Sequence, residues 1–375
     1  MGRPIKVMIV YGTRPEVIKL APVALLLKQR SSQFNCRLVS TGQHRELSRQ
    51  AGAIFGLEPD IDLDLMAHNQ SSGSFVGLSV AHLDRVIASE RPDWIIVQGD
   101  TATVLAGALA AYYNQVPVAH LEAGLRSGDL TAPHPEEGSR QMVGRVAALH
   151  FVPTLLARDN LLRENIPDES IIVTGNTVID AMRLVLQGDE APSSVAVSEI
   201  DPGRRLVLVT LHRRESLGQS LLGMLEAIRS LALVDELNLQ FIFPVHPNPL
   251  VSSQVRSVLG NCANVILSAP LDYVSLLFTM QRCWLVMTDS GGLQEEAPGL
   301  GVPVLVLRDR TERQEGVDAG VARLVGTDKD AITGAVYSLV SDPGSYLAMK
   351  SSVNPYGDGY ASERVVRALE QRFAG

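Results

Sequence analysis

The sequence predicts an α/β protein made of two Rossmann-like domains, each built around a parallel β-sheet, with a cleft between them. The chain has 375 residues, and a single hydrophobic core stops growing near roughly 250–300 residues. Short apolar, β-branched runs alternate with helix-length segments, which is typical of parallel strands covered by helices on both faces. These runs form two series, and the polar segment 187–205, which contains Pro and Gly, is a candidate surface connection near the domain boundary.

Each apolar run is a predicted strand, and the two series of strands predict the two domains. We expect an N-terminal domain at 1–172 and a C-terminal, nucleotide-binding domain at 173–359. Ligands of open parallel sheets bind beyond the carboxyl ends of the strands, so those ends are where a site is expected. The first series is IKVMIV (5–10), CRLVST (36–41), WIIVQ (94–98), VPVAHL (116–121) and IIVT (171–174), and the second is RLVLVTL (205–211), LQFIFPV (239–245), NVILS (264–268), WLVMT (284–288) and PVLVL (303–307).

Composition excludes several classes of protein. The formal net charge of −8 argues against a nucleic-acid surface or an anionic membrane partner. No apolar run approaches the ~20 residues of a membrane span, and the N-terminus enters a strand-like run with no signal-peptide pattern. The three cysteines, Cys36, Cys262 and Cys283, are widely spaced, and we interpret them as buried apolar side chains in a cytoplasmic protein.

The first strand leads into YGTRPEVIK (11–19), a strand–turn–helix junction. Thr13 and Glu16 match the T-x-x-E capping box. Arg14 and Lys19 add two cations beside turn amides that could hold an anion, although a solvated helix face would look the same. The dinucleotide GxGxxG and the GxxxxGK[ST] patterns are absent from the chain, which disfavours a hydride carrier or a P-loop NTPase.

WIIVQGD, a small-residue helix and VPVAHLEAG form one βαβ unit. Asp100 follows its first strand and Glu122 follows its second. If the two strands are neighbours, roughly 4.8 Å apart, both carboxylates emerge at one sheet edge, where each can tune the other for proton transfer. The alternative is that Asp100 merely caps the following helix.

The loop TAPHPEE (131–137) places two acids, Glu136 and Glu137, before a helical segment. Acids at a helix start favour the dipole, which is a sufficient structural role for one of them. Two prolines suggest a loop that keeps its shape. His134 lies close by, but there is no HExxH or His-x-His set, so no metal is expected.

In the second series, strands end in polar segments. One is followed by His212 and Arg213, and another by Asp289 and the turn Ser290–Gly291–Gly292. Backbone amides of such a turn at a helix start can approach an oxyanion without Cβ obstruction, although a plain tight turn would look alike. Of the two acids that follow, Glu295 and Glu296, one could take ribose hydroxyls. A diphosphate with an attached sugar would satisfy both halves; further cations follow the next strand, at Arg308, Arg310 and Arg313.

Twelve segments together resemble the bacterial non-hydrolysing UDP-N-acetylglucosamine 2-epimerases, whose fold is GT-B-like. They span nearly the whole chain in order, which makes the set far more specific than any member. The segments are GTRPEVIK (12–19), TGQHRE (41–46), QGDTATVLA (98–106), HLEAGLRSGD (120–129), PHPEE (133–137), TGNTVID (174–180), HRRES (212–216), PVHPNP (244–249), TDSGGLQEEAP (288–298), RDRTERQEG (308–316), LVGTD (324–328) and NPYGDG (354–359).

The resemblance implies reversible epimerisation at C2 of UDP-N-acetylglucosamine to UDP-N-acetylmannosamine, by anti elimination of UDP and re-addition, with no cofactor. It also implies a homodimer, a C-terminal helix at 360–375 packed on the first domain, and a second UDP-N-acetylglucosamine bound as an activator. By resemblance the catalytic residues are Asp100, Glu122, Glu136 and His212; the substrate-binding residues are Arg14, Lys19, Ser290, Gly291, Gly292, Glu296, Arg313, Leu271 and Leu276; and the activator-site residues are Gln43, Arg213 and His246.

The sequence departs from the family pattern at a few positions. Leu271 stands where some members have Gln, and Leu276 where some have Phe, which weakens stacking against the base. Leu211 and His134 stand where Gly and an aromatic residue are common. Three alternatives stay open: a GT-B glycosyltransferase, a hydrolysing epimerase that releases N-acetylmannosamine, and a non-catalytic nucleotide-sugar sensor. A related diacetamido uronate substrate also stays open.

Overall fold

The computed structural model describes residues 3–188, 194–211 and 219–374, and the chain divides into two compact units. Met1–Val185 and Tyr356–Gly375 form the first unit, and Leu186–Pro355 form the second. The predicted α/β class with two parallel sheets is confirmed. None of the described helices combines the length and apolar character needed to cross a bilayer.

The first unit has a seven-stranded parallel sheet in the order β3-β2-β1-β4-β5-β6-β7. Its central strands are apolar on both faces because helices cover both sides. The strands are β1 Ile5–Tyr11, β2 Phe34–Ser40, β3 Ile61–Asp62, β4 Trp94–Gln98, β5 Val118–Leu121, β6 Leu149–Val152 and β7 Ile171–Val173; the helices are α1 Arg14–Gln29, α2 Arg45–Ile54, α3 Ser72–Glu90, α4 Ala102–Tyr113, α5 Glu136–Val146, α6 Leu155–Arg163 and α7 Thr177–Gln187.

The second unit has a six-stranded parallel sheet in the order β10-β9-β8-β11-β12-β13. The strands are β8 Arg205–Thr210, β9 Leu239–Pro244, β10 Val265–Ser268, β11 Leu285–Thr288, β12 Val304–Val306 and β13 Ala322–Leu324; the helices are α8 Gln219–Ala232, α9 Pro249–Leu259, α10 Tyr273–Arg282, α11 Gly291–Gly299, α12 Gln314–Asp318, α13 Lys329–Ser341 and α14 Pro343–Ser351.

The last helix, α15 (Ala361–Ala374), belongs to the first unit and packs on α1, where Arg30 Nη1 donates to Glu370 Oε1 at 2.7 Å. The unit boundary falls after Val185 and not after residue 172, because β7 is the edge strand of the first sheet and α7 is tied to the C-terminal segment. That tie is Asp180, whose buried carboxylate accepts from the amides of Ala361 and Ser362.

Three strands, β3, β6 and β13, are not among the apolar runs named above. The cysteine prediction is only partly right. Cys262 and Cys283 are buried, but Cys36 is partly exposed. Cys36 lies in the half of β2 that does not pair with β3, which contacts only Val39 and Ser40 of β2.

Candidate active site

Two acidic residues leave the first sheet at adjacent strand ends. β4 and β5 are parallel neighbours, as predicted. Immediately after them the chain turns off the sheet, with φ of 83° at Gly99 and 61° at Glu122, and Gly99 N donates to Leu121 O at 3.0 Å. Asp100 and Glu122 therefore start from the same edge. A left-handed conformation is uncommon for a residue with a side chain, and such strain often marks functional positions.

Glu122 is held by three donors that converge on its Oε2 atom. Gln98 Nε2 donates at 3.0 Å, Asn176 Nδ2 donates at 3.1 Å, and Lys19 Nζ forms a short ion pair with the same oxygen. Both partners of the ion pair are largely buried, with side-chain exposures of 10% and 8%. These three donors hold the Glu122 carboxylate in one position. Lys19, predicted to bind substrate, thus contacts a predicted catalytic acid.

Asp100 belongs to a second network, which is organised by Arg140 of α5. Arg140 Nη1 donates to Asp100 Oδ2 at 3.0 Å, while its Nε and Nη2 donate to Glu137 Oε2 at 3.1 and 2.8 Å. Burial raises the pKa of Glu137, but hydrogen bonds from Ser127 N, Gln141 and Arg140 lower it more, so the net shift is downward. Arg140 therefore fixes the position of Asp100 relative to the start of α5.

The structure decides between two alternatives that the sequence left open. Thr101, not Asp100, caps α4, because its hydroxyl accepts from Val104 N at 3.3 Å. Of the paired acids, Glu137 is fully buried and takes the structural role, whereas Glu136 is the partly exposed first residue of α5. Over the described part of the chain, no residue forms a hydrogen bond or ion pair with the Glu136 side chain. Its catalytic role stays a prediction.

The β1–α1 turn differs from the predicted capping box. Thr13 Oγ1 donates to Glu16 Oε1 at 3.0 Å and does not cap the helix; Glu16 Oε2 accepts from Gly12 N at 2.7 Å. Burial raises the pKa of Glu16 to about 7, and hydrogen bonds from Thr101, Gly12 and Thr13 oppose the rise. Arg14 begins α1 and is partly exposed, so its guanidinium is available to an anion at this turn.

Gln43, a predicted activator-site residue, supports the same turn. Its Oε1 accepts from Thr103 N at 3.2 Å and from Thr103 Oγ1 at 2.8 Å, and Thr103 Oγ1 lies 2.8 Å from Thr41 Oγ1. A Cβ at Gly12 would come within 2.2 Å of Thr103 Oγ1 and 2.4 Å of Thr41 Oγ1, so only glycine fits there. The Gln43 oxygen is therefore used within the fold.

Two buried histidines lie side by side in β5 and β6. His120 and His150 are register partners, and His120 Nε2 bonds Gly99 O at 2.7 Å. Among the described residues, Nδ1 of neither ring has a hydrogen-bond partner. Burial lowers the pKa of His120 to about 4 and that of His150 to about 3, and the neighbouring His120 adds to the second shift. Both rings are neutral near pH 7.

These depressed pKa values predict acid sensitivity. In the folded state both pKa values lie below the ~6.5 expected in the unfolded chain. Between about pH 6.5 and 4 the unfolded chain therefore binds more protons, and the free energy of unfolding falls as the pH falls, by up to about 1.4 kcal/mol per pH unit for each histidine. Urea unfolding of His150→Leu should show a smaller pH slope in this range than the wild type. His68→Leu controls for the exchange at an exposed site, and equal slopes in wild type and His150→Leu would contradict the assignment.

In the second unit, the Ser-Gly-Gly segment is a helix start and not a plain tight turn. Ser290 is the N-cap of α11, and Gly291 and Gly292 are its first two residues. Thr288 Oγ1 accepts from Ser290 N at 2.9 Å, which fixes the approach to the helix. A Cβ at Gly291 would lie 3.0 Å from Glu312 Oε1. The first amides of α11 suit an oxyanion, because a helix N-terminus carries partial positive charge.

Arg313 lies beside this helix start within a group of ion pairs. Its Nε donates to the fully buried Glu295 at 2.9 Å, and its Nη1 donates to Glu312 at 3.0 Å. Glu312 also accepts from Arg308 Nη1 at 2.8 Å. Glu295 is thus the structural member of the Glu295–Glu296 pair, and its contact holds Arg313 beside Gly291, where a Cβ would lie 3.3 Å from Arg313 Cζ.

The predicted nucleotide-binding residues lie on α10, α11 and the loop before α10. Glu296 is buried, with Tyr273 OH donating to its Oε1 at 3.3 Å. Leu271 is buried just before α10, and Leu276 is partly buried on it. Tyr273 therefore connects the predicted ribose ligand to the predicted uracil-binding segment.

For three predicted site residues, the described part of the chain shows no contact with the other predicted site residues. His246 is exposed, and its Nδ1 accepts from Asn248 N at 3.2 Å. His212 and Arg213 lie outside the described residues. Over the ranges 3–188, 194–211 and 219–374, no group of three or more His, Cys, Asp or Glu side chains is arranged to hold a metal ion.

Several site residues were missed by the sequence reasoning. Gln98 ends β4 and Asn176 follows β7, so each is a polar residue at the carboxyl edge, a signal that could have found them. Arg140 lies one helical turn after Glu137, the spacing of a side-chain pair on a helix. Tyr273 gave no comparable signal. All four donate hydrogen bonds to acids that were predicted as site residues.

Comparison with known proteins gives consistent matches over nearly the whole chain. The family model described as UDP-N-acetylglucosamine 2-epimerase matches residues 27–370. A UDP-N-acetylglucosamine 2-epimerase of Salmonella typhimurium is 44% identical over 371 residues, covering 97% of this chain and 98% of its own. The crystal structure of the Neisseria meningitidis UDP-GlcNAc 2-epimerase bound to UDP-GlcNAc has 39% identity and a TM-score of 0.92, covering 98% of this chain and 100% of its own.

A likeness in fold alone extends further. The crystal structure of the glycotransferase of kitacinnamycin matches with a TM-score of 0.63 at 15% identity, covering 98% of this chain and 100% of its own. This match supports the GT-B-like fold class that the resemblance predicted.

Proposed function

The chain belongs to the UDP-N-acetylglucosamine 2-epimerase family, and from that premise we propose that it is a non-hydrolysing epimerase that interconverts UDP-N-acetylglucosamine and UDP-N-acetylmannosamine. The Neisseria relative is bound to UDP-GlcNAc in its crystal structure. The observation in this chain that most supports the proposal is the pair of acids, Asp100 and Glu122, at the ends of adjacent parallel strands.

The chemistry explains why such acids are needed. C2 of the sugar bears an amide nitrogen and no adjacent carbonyl, so direct loss of its proton would leave an unstabilised carbanion. Departure of UDP from C1 builds positive charge beside C2 and makes that proton acidic. Elimination then gives 2-acetamidoglucal and UDP, and re-addition with protonation on the opposite face of C2 completes the inversion.

The residues divide between these tasks. We assign proton transfer to Asp100, Glu122 and Glu136, since general acids and bases must reach both faces of C2. Arg14 and the α11 amides would stabilise the departing diphosphate, with Arg313 held at the start of the same helix by Glu295. Glu296 would bind the ribose. His212 keeps its predicted role near the diphosphate.

The resemblance also extends to regulation and assembly, which we carry as proposals. A second UDP-N-acetylglucosamine would act as an activator at Gln43, Arg213 and His246. In the structure, the side-chain oxygen of Gln43 accepts from Thr103. The amide nitrogen of Gln43 would be the donor to the ligand. A homodimer is the expected assembly.

Product analysis with UDP-N-acetylglucosamine as the sole substrate tests the proposal. The expected result is UDP-N-acetylmannosamine in equilibrium with the starting sugar nucleotide, observed by NMR without any acceptor. Free N-acetylmannosamine as the main product would favour a hydrolysing epimerase. Turnover only after an acceptor is added would favour a glycosyltransferase, and bound but unchanged substrate would favour a sensor.

A further inference from the structure

Asn176 occupies a position where two backbone elements and one predicted catalytic acid meet. It is buried, at 3% exposure, between the end of β7 and the first residue of α7. Its Oδ1 accepts from Val178 N at 3.1 Å, which caps α7. Because the oxygen faces that amide, the Nδ2 group is turned to Glu122 Oε2, 3.1 Å away. The cap therefore fixes the orientation of the donor.

The backbone of Asn176 is in turn held by the C-terminal segment. Asn176 N donates to Tyr356 O at 2.6 Å. Gly175, with φ of 85°, packs so closely that a Cβ there would lie 3.1 Å from Gly357 Cα and 3.3 Å from Tyr356 O. Arg364 of α15 donates to Thr174 O at 2.9 Å. The turn that carries Asn176 is thus clamped from outside its own strand and helix.

We propose that Asn176 is a positioning residue for Glu122, and that the 356–364 segment acts on the reaction by holding Asn176 in place. The inference rests on the proposed function of Glu122. Asn176, Lys19 and Gln98 all donate to Glu122 Oε2, so together they restrict the carboxylate to one rotamer. Positioning of a proton-transfer group affects turnover more than substrate binding.

Two variants separate this role from helix capping. Asn176→Ser keeps a good N-cap but is too short to reach Glu122. Asn176→Asp keeps the cap and the shape but replaces the donor with a like charge. We expect kcat for epimerisation to fall roughly 10- to 100-fold in Asn176→Ser, the loss typical of one hydrogen bond to a charged group, with KM nearly unchanged. The kcat of Asn176→Asp should fall further than that of Asn176→Ser. Asp328→Ser, at the N-cap of α13, controls for an altered cap and should retain wild-type kcat.

A second pair of variants tests the contact between Gly175 and the 356–364 segment. Both variants place alanine at a glycine of positive φ, so the backbone strain is similar. Gly175→Ala pushes against Gly357 and Tyr356, whereas Gly320→Ala, at a similar φ of 77° but outside the 356–364 segment, meets only the Ser352 hydroxyl at 3.6 Å. The kcat should fall more in Gly175→Ala than in Gly320→Ala when both are compared at equal folded fraction, measured by thermal melting.

The outcomes distinguish this inference from the proposed function. If the wild type does not epimerise UDP-N-acetylglucosamine, the function itself is wrong. If the wild type turns over and Asn176→Ser or Asn176→Asp matches its kcat, or raises KM with kcat intact, Asn176 does not position Glu122. Equal kcat in the two alanine variants would contradict the role of the C-terminal segment.

Discussion

Replacing Glu122 by glutamine should lower kcat for epimerisation by roughly 10²–10⁴-fold, the contribution of a general acid or base, while the affinity for UDP hardly changes. A glutamine oxygen can still accept from Lys19, Gln98 and Asn176, but the buried Lys19 loses its anion. The unfolding free energy should therefore fall, and kcat is compared at equal folded fraction. Steady-state kinetics with NMR detection of UDP-N-acetylmannosamine measures kcat, and calorimetry measures UDP binding.

The first unit offers a matched control for that substitution. Glu90 accepts an ion pair from Lys6 at 2.7 Å, with comparable Lys–Glu chemistry. Glu90→Gln should retain wild-type turnover. Glu122→Gln could instead retain more than about a tenth of wild-type kcat. That loss is smaller than a proton-transfer group should cause, and it would show that Glu122 does not transfer the proton.

Replacing Arg140 by methionine should reduce both stability and turnover. The change leaves the fully buried Glu137 carboxylate without its cation, which typically costs about 3–5 kcal/mol of unfolding free energy, and it releases Asp100. Urea unfolding measures the first effect, and kcat at low temperature, where the variant is folded, measures the second.

The double variant Arg140→Met/Glu137→Gln separates the two effects. It removes the unpaired buried charge and should recover much of the stability, but not the turnover, because Asp100 remains unheld. Recovery of turnover along with stability would show that Arg140 acts only through folding. Arg126→Met provides the control: Arg126 pairs with the partly exposed Glu164, so its loss should cost less stability than the loss of Arg140.

The fold class and the positions of the two acids at the sheet edge could be predicted from the sequence, because both follow from local sequence patterns. A continuous apolar run such as WIIVQ predicts a buried parallel strand, and a parallel neighbour brings Asp100 and Glu122 to one edge whatever the details. The sequence could not show which of Glu136 and Glu137 has the structural role. Both suit a helix start, and only the packing of α5 buries one of them against Arg140.

The supporting residues could not be read from the sequence for a related reason. Asn176 lies 54 positions after Glu122 in the chain. Its donor role depends on the register of three strands, β5, β6 and β7, and on a C-terminal segment more than 175 residues further along. No local pattern encodes such a contact. Lys19 was predicted to serve the diphosphate and sugar side of the substrate, and its ion pair with Glu122 is a contact that no local pattern indicates.

In the proposed mechanism, proton exchange at C2, performed by the acids at the edge of the first sheet, drives the inversion. Turnover of UDP-N-acetylglucosamine in D₂O, with H2 followed by NMR, tests this exchange. UDP-N-acetylmannosamine should form with deuterium at C2, and Glu122→Gln should slow this incorporation together with epimerisation. Product that retains its original C2 proton throughout would contradict elimination and re-addition.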